Sequence, residues 1–389
     1  MSSSEGSNDA PIIARGLEGV VAAATNIAEV DGEKGKLTLR GYDISELAGN
    51  VSFEEVAYLL WHGKLPNQSQ LDELSDEMRK ARELSPEAIA TLQAVSKATD
   101  GMHVLRIGAS ALSIGDTTID AFSKEGNLLR AARLQAQIPA VVAHSYRINK
   151  GLPIVHPKPE HGLAQGFLYM LEGVEPSQAR VDALNAYMTA VSEHGLNAST
   201  FTGRVVISTG SDMVSAITAA ICSLKGPKHG GVPGPVLKML DEIGSVANAE
   251  SFIRTEMGAG RRIMGFGHRI YKVRDPRAAI LTVAAEKMAA ITGDRHLLEL
   301  TQAVENTTVK VLSELKPGRD LYANVELYAA LILHAVGVPS EIFTPIFAIG
   351  RTSGWTAHMI EQMDETKIIR PDSVYVGPRD LKFVPMGAR

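Results

Sequence analysis

After a polar start, MSSSEGSNDAPI, apolar residues first come in short runs and then settle into a spacing near 3.6. VVAAATNIAEVDG and KLTLRG, joined by the polar turn GEKG, predict two short strands. Helices dominate from there. In SFEEVAYLLWHG, Ser52 stands as a cap with Glu55 three residues on, and Gly63 stops the apolar repeat. SQLDELSDEMRKARELS repeats the pattern with an exposed face of both signs. SQARVDALNAYMTAVSEHG, SDMVSAITAAICSLKG and PRAAILTVAAEKMAAITG each predict a helix closed by glycine. The first ten residues read as a solvated tail. There is no internal repeat and no low-complexity region.

Three loops break this helical pattern. RINKGLPIVHPKPEHG is Pro-rich and predicts a surface excursion. GPKHGGVPGP and GFGHRIYKVRDPRA each separate two apolar helices. The tail from Arg370, RPDSVYVGPRDLKFVPMGAR, is extended in character, carries three arginines and needs a surface to lie against.

Composition narrows the function classes. At 389 residues the chain is long enough for two domains, and 45% hydrophobic with 21% charged residues is ordinary for a globular protein. The net charge of -5 disfavours polyanion binding, so positive charge for anionic substrates must be local. A nucleic-acid binder is further disfavoured by the lack of a basic stripe. A lone cysteine, Cys222, excludes an internal disulfide framework. It lies in an apolar helical run without basic neighbours, and the expectation is a core residue rather than a nucleophile. No secretory signal and no run long enough to span a membrane is visible, which gives a cytoplasmic expectation. No HExxH or similar spacing suggests a metal site.

Chemistry concentrates at the loops. His229 in GPKHGG has flanking glycines that permit close approach of a ligand, and a helix start follows it. There the dipole disfavours imidazolium, and a neutral ring can donate to an enolate oxygen; a loop histidine bonding nearby carbonyls is the alternative. Asp275 and Pro276 predict a helix start, with Arg277 in its first turn opposing the dipole. Either a bound anion or a partner carboxylate resolves that conflict. His268 follows the close-approach sequence GFG. Glu326 opens a strongly apolar helix with Asn324 or Ala323 as cap, either as a dipole partner or as a desolvated base. Arg351 interrupts an apolar segment, between Gly350 and a helix expected to begin near Ser353, and wants a carboxylate, structural or substrate.

In this order GYDISELA, SFEEVAYLLWHGKLP, EHGLNASTFTGRV, LKGPKHGG, MGFGHRIYKVRDPRA, GRTSGWTAHMIEQ and IIRPDSVYVGP resemble the citrate synthase family, from about Gly16 to about Pro378. The resemblance implies an all-α fold with short N-terminal strands. It also implies a large domain over 16–230 and 337–389, a small domain over 231–336, and a tail over 1–15. It implies condensation of acetyl-CoA with oxaloacetate and water to citrate and CoA, acetyl-CoA being a cosubstrate and no cofactor staying bound. His229 would stabilise the acyl-CoA enol, His268 would polarise the oxaloacetate carbonyl, and Glu326 would stand at the family's catalytic aspartate. His194, Asn197, Arg277 and Arg351 would contact oxaloacetate. Arg370 would reach the other subunit's site in a homodimer. Arg262, Lys272 and Arg274 would lie towards coenzyme A. The sequence departs from the family pattern at Glu326, at VPGP after HGG, and at RPDS. The alternatives are a 2-methylcitrate synthase using propionyl-CoA and a non-catalytic acyl-CoA-binding paralogue. A single methylene is worth only ~1–3 kcal/mol of pocket discrimination, too little for the residue pattern to separate acetyl from propionyl.

Overall fold

The computed structural model describes residues 13–114, 123–230, 233–315 and 321–389. The solvated tail expected over the first ten residues lies outside them. A three-stranded antiparallel sheet, β1 (Ala28–Asp31), β2 (Lys36–Leu39) and β3 (Tyr42–Asp43), opens the fold. Val30 pairs with Leu37 and Leu39 with Tyr42. The residues before Ala28 in the first predicted strand are not in the sheet. Sixteen α-helices follow among the described residues: α1 (Ile44–Leu47), α2 (Phe53–His62), α3 (Gln68–Ala81), α4 (Pro86–Val95), α5 (Gly101–Ala111), α6 (Lys124–Asn149), α7 (Leu163–Glu172) and α8 (Gln178–Val191), then α9 (Ala198–Ile207), α10 (Met213–Leu224), α11 (Pro233–Ile243), α12 (Ala249–Gly258), α13 (Pro276–Thr292), α14 (His296–Leu315), α15 (Val325–Ala335) and α16 (Phe343–Met363). Among the described residues the fold is all-α apart from the opening sheet. No helix of the described residues is long and apolar enough to cross a membrane.

The predicted ends of α2 and α13 hold, whereas α8 and α10 stop at Val191 and Leu224, short of the glycines Gly195 and Gly226 expected to close them. Ser52 and Glu55 form the capping box of α2, and Gly63 closes it in the left-handed conformation at φ 77°. Gly293 closes α13 in the same way at φ 76°. Leu59, Leu60, Val56 and Phe53 then share the buried side of α2. Each such side chain contributes about 1.5–3 kcal/mol through burial.

The core is organised around α16, which packs against α2, α6, α8, α9 and α10. Its start corrects the expectation. Arg351 does not precede a helix beginning near Ser353; it lies in the middle of one continuous helix from Phe343. Gly350, which suggested a break, serves close packing instead, as does Gly354 one turn on. A Cβ at Gly350 would stand 2.6 Å from Val191 Cγ2 and 3.1 Å from Met188 O, and one at Gly354 would stand 2.2 Å from Ser192 O. The backbone of α16 therefore lies directly on the end of α8, and that approach carries Arg351 into the interior. Polar bonds fix the register: Trp61 Nε1 donates to Thr356 Oγ1 at 2.8 Å, and Gln135 Nε2 to Ile349 O at 2.9 Å.

Cys222 also departs from expectation. It is exposed on the single chain, because the buried side of α10 is formed by Ile217, Ala220, Ile221 and Leu224. An apolar sequence around a residue does not say which face of the helix it takes.

Gly350→Ala should overpack the α8–α16 crossing. We expect a loss of about 1–3 kcal/mol in stability, read from urea unfolding followed by circular dichroism at 222 nm. A variant as stable as the parent would show that the crossing relaxes freely.

Candidate active site

One frame of backbone carries most of the site. Gly267 N donates to Tyr322 O and Asn324 N to Gly265 O, both at 2.9 Å, so the GFG segment is zipped to the strand-like stretch before α15. Gly265 and Gly267 have φ near 81° and 82°, and a Cβ at Gly265 would lie 2.8 Å from that of Leu327. Only glycine fits there. The opening hairpin braces the other side of this loop: Lys272 N donates to Gly32 O at 2.9 Å.

Asp275 ties the pieces together. Its Oδ1 caps α13 through Arg277 N at 3.0 Å and accepts from Arg277 Nε at 3.0 Å; its Oδ2 accepts from Arg277 Nη2 at 2.7 Å. The same Oδ2 accepts from Val325 N at 3.2 Å, at the start of α15. The partner that offsets the cation in the first turn of α13 is thus a carboxylate of the chain. Burial alone would raise the Asp275 carboxyl, but the Arg277 ion pair and hydrogen bonds outweigh it and hold it below the ordinary range.

The two loop histidines present different nitrogens. His268 Nδ1 accepts from Ile270 N at 3.0 Å and Tyr271 N at 3.1 Å. Backbone N–H groups only donate, so the ring proton sits on Nε2. His229 Nε2 accepts from Ser199 N at 3.3 Å and lies 2.8 Å from Ser199 Oγ, which places its proton on Nδ1. Burial, followed by the nearby cations Arg351 and Arg277 respectively, lowers His229 and His268 each to about 4. Both are neutral donors near pH 7. His194 is buried, with Nε2 3.2 Å from the Tyr271 hydroxyl and its ring 5.2 Å from that of His268. Burial and then the Arg277 and Arg351 charges push it well below the usual histidine range.

Glu326 lies in the first turn of α15, capped by Asn324, whose Oδ1 accepts from Glu326 N at 3.0 Å. Burial raises its carboxyl to about 7, with Arg277 opposing and Asp275 adding to the shift. Arg351 is 2% exposed. Its Nε donates to Val191 O at 2.6 Å, and its guanidinium stands 4.8 Å from the Phe347 ring centre. Burial lowers it to about 10, against the pull of Glu193. A guanidinium buried without an ion pair among the described residues is an anion site awaiting its anion.

His194, Asn197, His229, His268, Arg277, Glu326 and Arg351 all line one cavity of about 840 Å³. Asn197 does so while capping α9, its Oδ1 accepting from Thr200 N at 3.1 Å. Four expected residues are not brought to this wall. Arg274 is committed to Glu305 at 2.6 and 3.0 Å. Lys272 is exposed, and Arg262 lines a separate cleft with Lys238 and Glu256. Arg370, on the extended tail, is three-quarters exposed and only 3.5 Å from Asp372. The sequence reading missed Lys228 and Arg269, which do line the cavity, and the positioning groups Tyr271 and Ser199. Lys228 and Arg269 each stand beside a predicted histidine, and that adjacency was the available signal. Nothing local pointed to Ser199.

Comparison with known proteins identifies the family. The family described as citrate synthase, C-terminal domain, matches residues 16–372. The chain is 44% identical over 376 residues to citrate synthase 2 of Bacillus subtilis, covering 96% of this chain and 99% of that one. It is 38% identical over 380 residues to the citrate synthase of Haloferax volcanii, covering 96% and 98%. The structure superposes, with a TM-score of 0.88 and 32% identity over 97% of this chain and 100% of the other, on Thermoplasma acidophilum citrate synthase in ternary complex with carboxymethyl coenzyme A and oxaloacetate. These relatives favour the citrate-forming reading over 2-methylcitrate formation. With matches of this length, the chain belongs to the citrate synthase family of acyltransferases, which condense acetyl-CoA with oxaloacetate.

Proposed function

We propose that this cavity carries out the condensation with Glu326 as base and the two loop histidines as donors. The observation that supports it most directly is the opposed tautomers: His229 offers Nδ1–H and His268 offers Nε2–H, each fixed by a backbone donor at the other nitrogen. Glu326 removes a proton from the acetyl methyl group, and its raised pKa suits that task near neutral pH. The enolate oxygen takes the His229 hydrogen bond. The enolate carbon attacks the ketone of oxaloacetate, whose oxygen is polarised and then protonated by His268. Water cleaves the thioester, releasing CoA and citrate. Arg351 and Arg277 hold the carboxylates of oxaloacetate, with His194 and Asn197 beside them.

The finer assignments follow the same chemistry. Coenzyme A phosphates meet Lys228 and Arg269 at the cavity, with Arg262 and Lys272 on exposed surface; Arg274 acts through Glu305. Residues 231–336 act as a small domain that closes on the remainder. The working form is a cytoplasmic homodimer, and the tail bearing Arg370 completes the partner's site. That reading is supported by the apolar side chains the tail leaves open on a single chain, including Val376, Leu381 and Phe383.

With oxaloacetate present, thiol release should be faster from acetyl-CoA than from propionyl-CoA. No release from either in a folded sample would remove the enzymatic assignment.

Glu326→Gln keeps shape but cannot take the proton, so kcat should fall by about 10²–10⁴. The parent's rate should rise with pH through about 7, the pKa of the base. Stability should move the other way. Glu326 is raised on folding from 4.5 to about 7, so the folded state binds the extra proton between those values and loses stability as pH rises through them. The glutamine variant should therefore melt several degrees above the parent at pH 8 and much closer to it at pH 5. A near-native kcat would sink the base assignment.

Mixing inactive His268→Ala with inactive Arg370→Ala protein should restore part of the activity, since one site of each mixed dimer is free of both lesions. Subunit exchange without recovery would place Arg370 outside the partner's site.

A further inference from the structure

Behind the cavity wall runs a line of buried polar side chains that the reaction scheme does not use. Glu193 directly precedes His194 in the turn from α8 to α9 and is fully buried. Its Oε1 accepts from His358 Nε2 at 3.0 Å. Its Oε2 has no hydrogen-bond partner. His358 lies on α16, two turns after Arg351 and on the same face. Arg204 Nη1 is 3.0 Å from His358 Nδ1. A guanidinium only donates, so the imidazole proton is on Nε2 and points at Glu193. Arg204 is held in turn by Glu361 Oε2 at 2.7 Å and Gln362 Oε1 at 2.8 Å. Glu361 Oε1 also accepts from Asn26 N at 2.8 Å, which anchors the chain just before β1.

None of these side chains lines the cavity, yet one acts on it. Glu193 is the carboxylate whose charge reaches Arg351 most strongly. The two do not form an ion pair among the described residues. The reason is visible in the packing. Gly354 leaves the backbone of α16 bare, and a Cβ there would lie 2.4 Å from Glu193 Oε2. The carboxylate sits in that notch with Oε2 against the bare backbone, and its other oxygen is held by His358. Two opposite charges in a dry interior attract strongly, and a bidentate pair would occupy the guanidinium fork.

We propose that Glu193, restrained by His358, is a positioning residue for oxaloacetate capture: it balances Arg351 through space but is kept from pairing with it, so the guanidinium stays open to a substrate carboxylate. The proposal rests on the reading that Arg351 holds oxaloacetate.

Three variants test it, with oxaloacetate binding measured by titration calorimetry at two ionic strengths alongside steady-state kinetics. Glu193→Gln can still accept from His358 but no longer offsets Arg351. Oxaloacetate should bind about three- to tenfold more tightly, most clearly at low salt. His358→Leu frees Glu193 to close on Arg351. The KM for oxaloacetate should rise about tenfold or more, while kcat at saturation and the KM for acetyl-CoA change little. The double variant should recover most of that loss, because no carboxylate remains to block the fork. A merely structural role predicts no such rescue. Weaker or unchanged oxaloacetate binding in Glu193→Gln overturns the proposal, and that variant decides alone if His358→Leu does not fold. Arg351→Gln with native oxaloacetate affinity would instead overturn the substrate reading beneath it, and the proposal with it.

Discussion

Two oxygens of Asp275 cap α13, pair with Arg277 and accept the first free N–H of α15. The rest of the site depends on that arrangement. It lets a cation sit at a helix N-terminus, where the dipole opposes it, and it joins the loop of His268 to the helix of Glu326. Remove the carboxylate and three elements lose their common support. A buried ion pair of this kind is weak evidence of net stability, because desolvation offsets much of the attraction. Its value here is geometric: it determines where a base, a donor and an arginine stand relative to one another.

The same desolvation sets the chemistry. Burial disfavours charge on His229 and His268, which remain neutral donors, and on Glu326, which is left poised near neutrality. Arg351 stays protonated despite burial because a guanidinium yields its proton so reluctantly. Burial thus leaves neutral histidine donors, a weak base and a buried cation without an ion pair around one cavity. That set matches a reaction that makes an enolate and joins it to a dianion.

Helix packing supplies the enclosure. Gly350 and Gly354 let α16 lie against α8 and the turn after it, so that Arg351 enters the core and Glu193 finds its notch. A polar line from exposed Asn26 through half-buried Glu361 to buried Arg204, His358 and Glu193 then links the start of the sheet to the back of the cavity. Rigid support behind a binding group holds it in productive geometry before substrate arrives.

Much of this was legible locally. The capping box of α2, the Asp275–Pro276 helix start and the glycine closures of α2 and α13 need only neighbours in sequence, and Asn324 was among the two caps expected for α15. The motif order identified the family and, through it, seven residues that prove to share one cavity. Other features were out of reach. Gly350 reads as a helix break when isolated, because glycine lowers helix propensity, and only contact with Val191 explains its place in mid-helix. Cys222 lies in an apolar run, and which face of α10 is covered depends on distant elements. The partner of Arg277, whether anion or carboxylate, stayed open until its side chain was placed against Asp275. The sequence by itself determined the helical class, the caps of α2 and α13 and the inventory of reactive groups, since these follow from interactions within a few residues. Tertiary structure decided how the side chains of the site are buried, which of its buried arginines is left without an ion pair and which carboxylate is desolvated, because those properties belong to the dielectric and the partners that folding assembles.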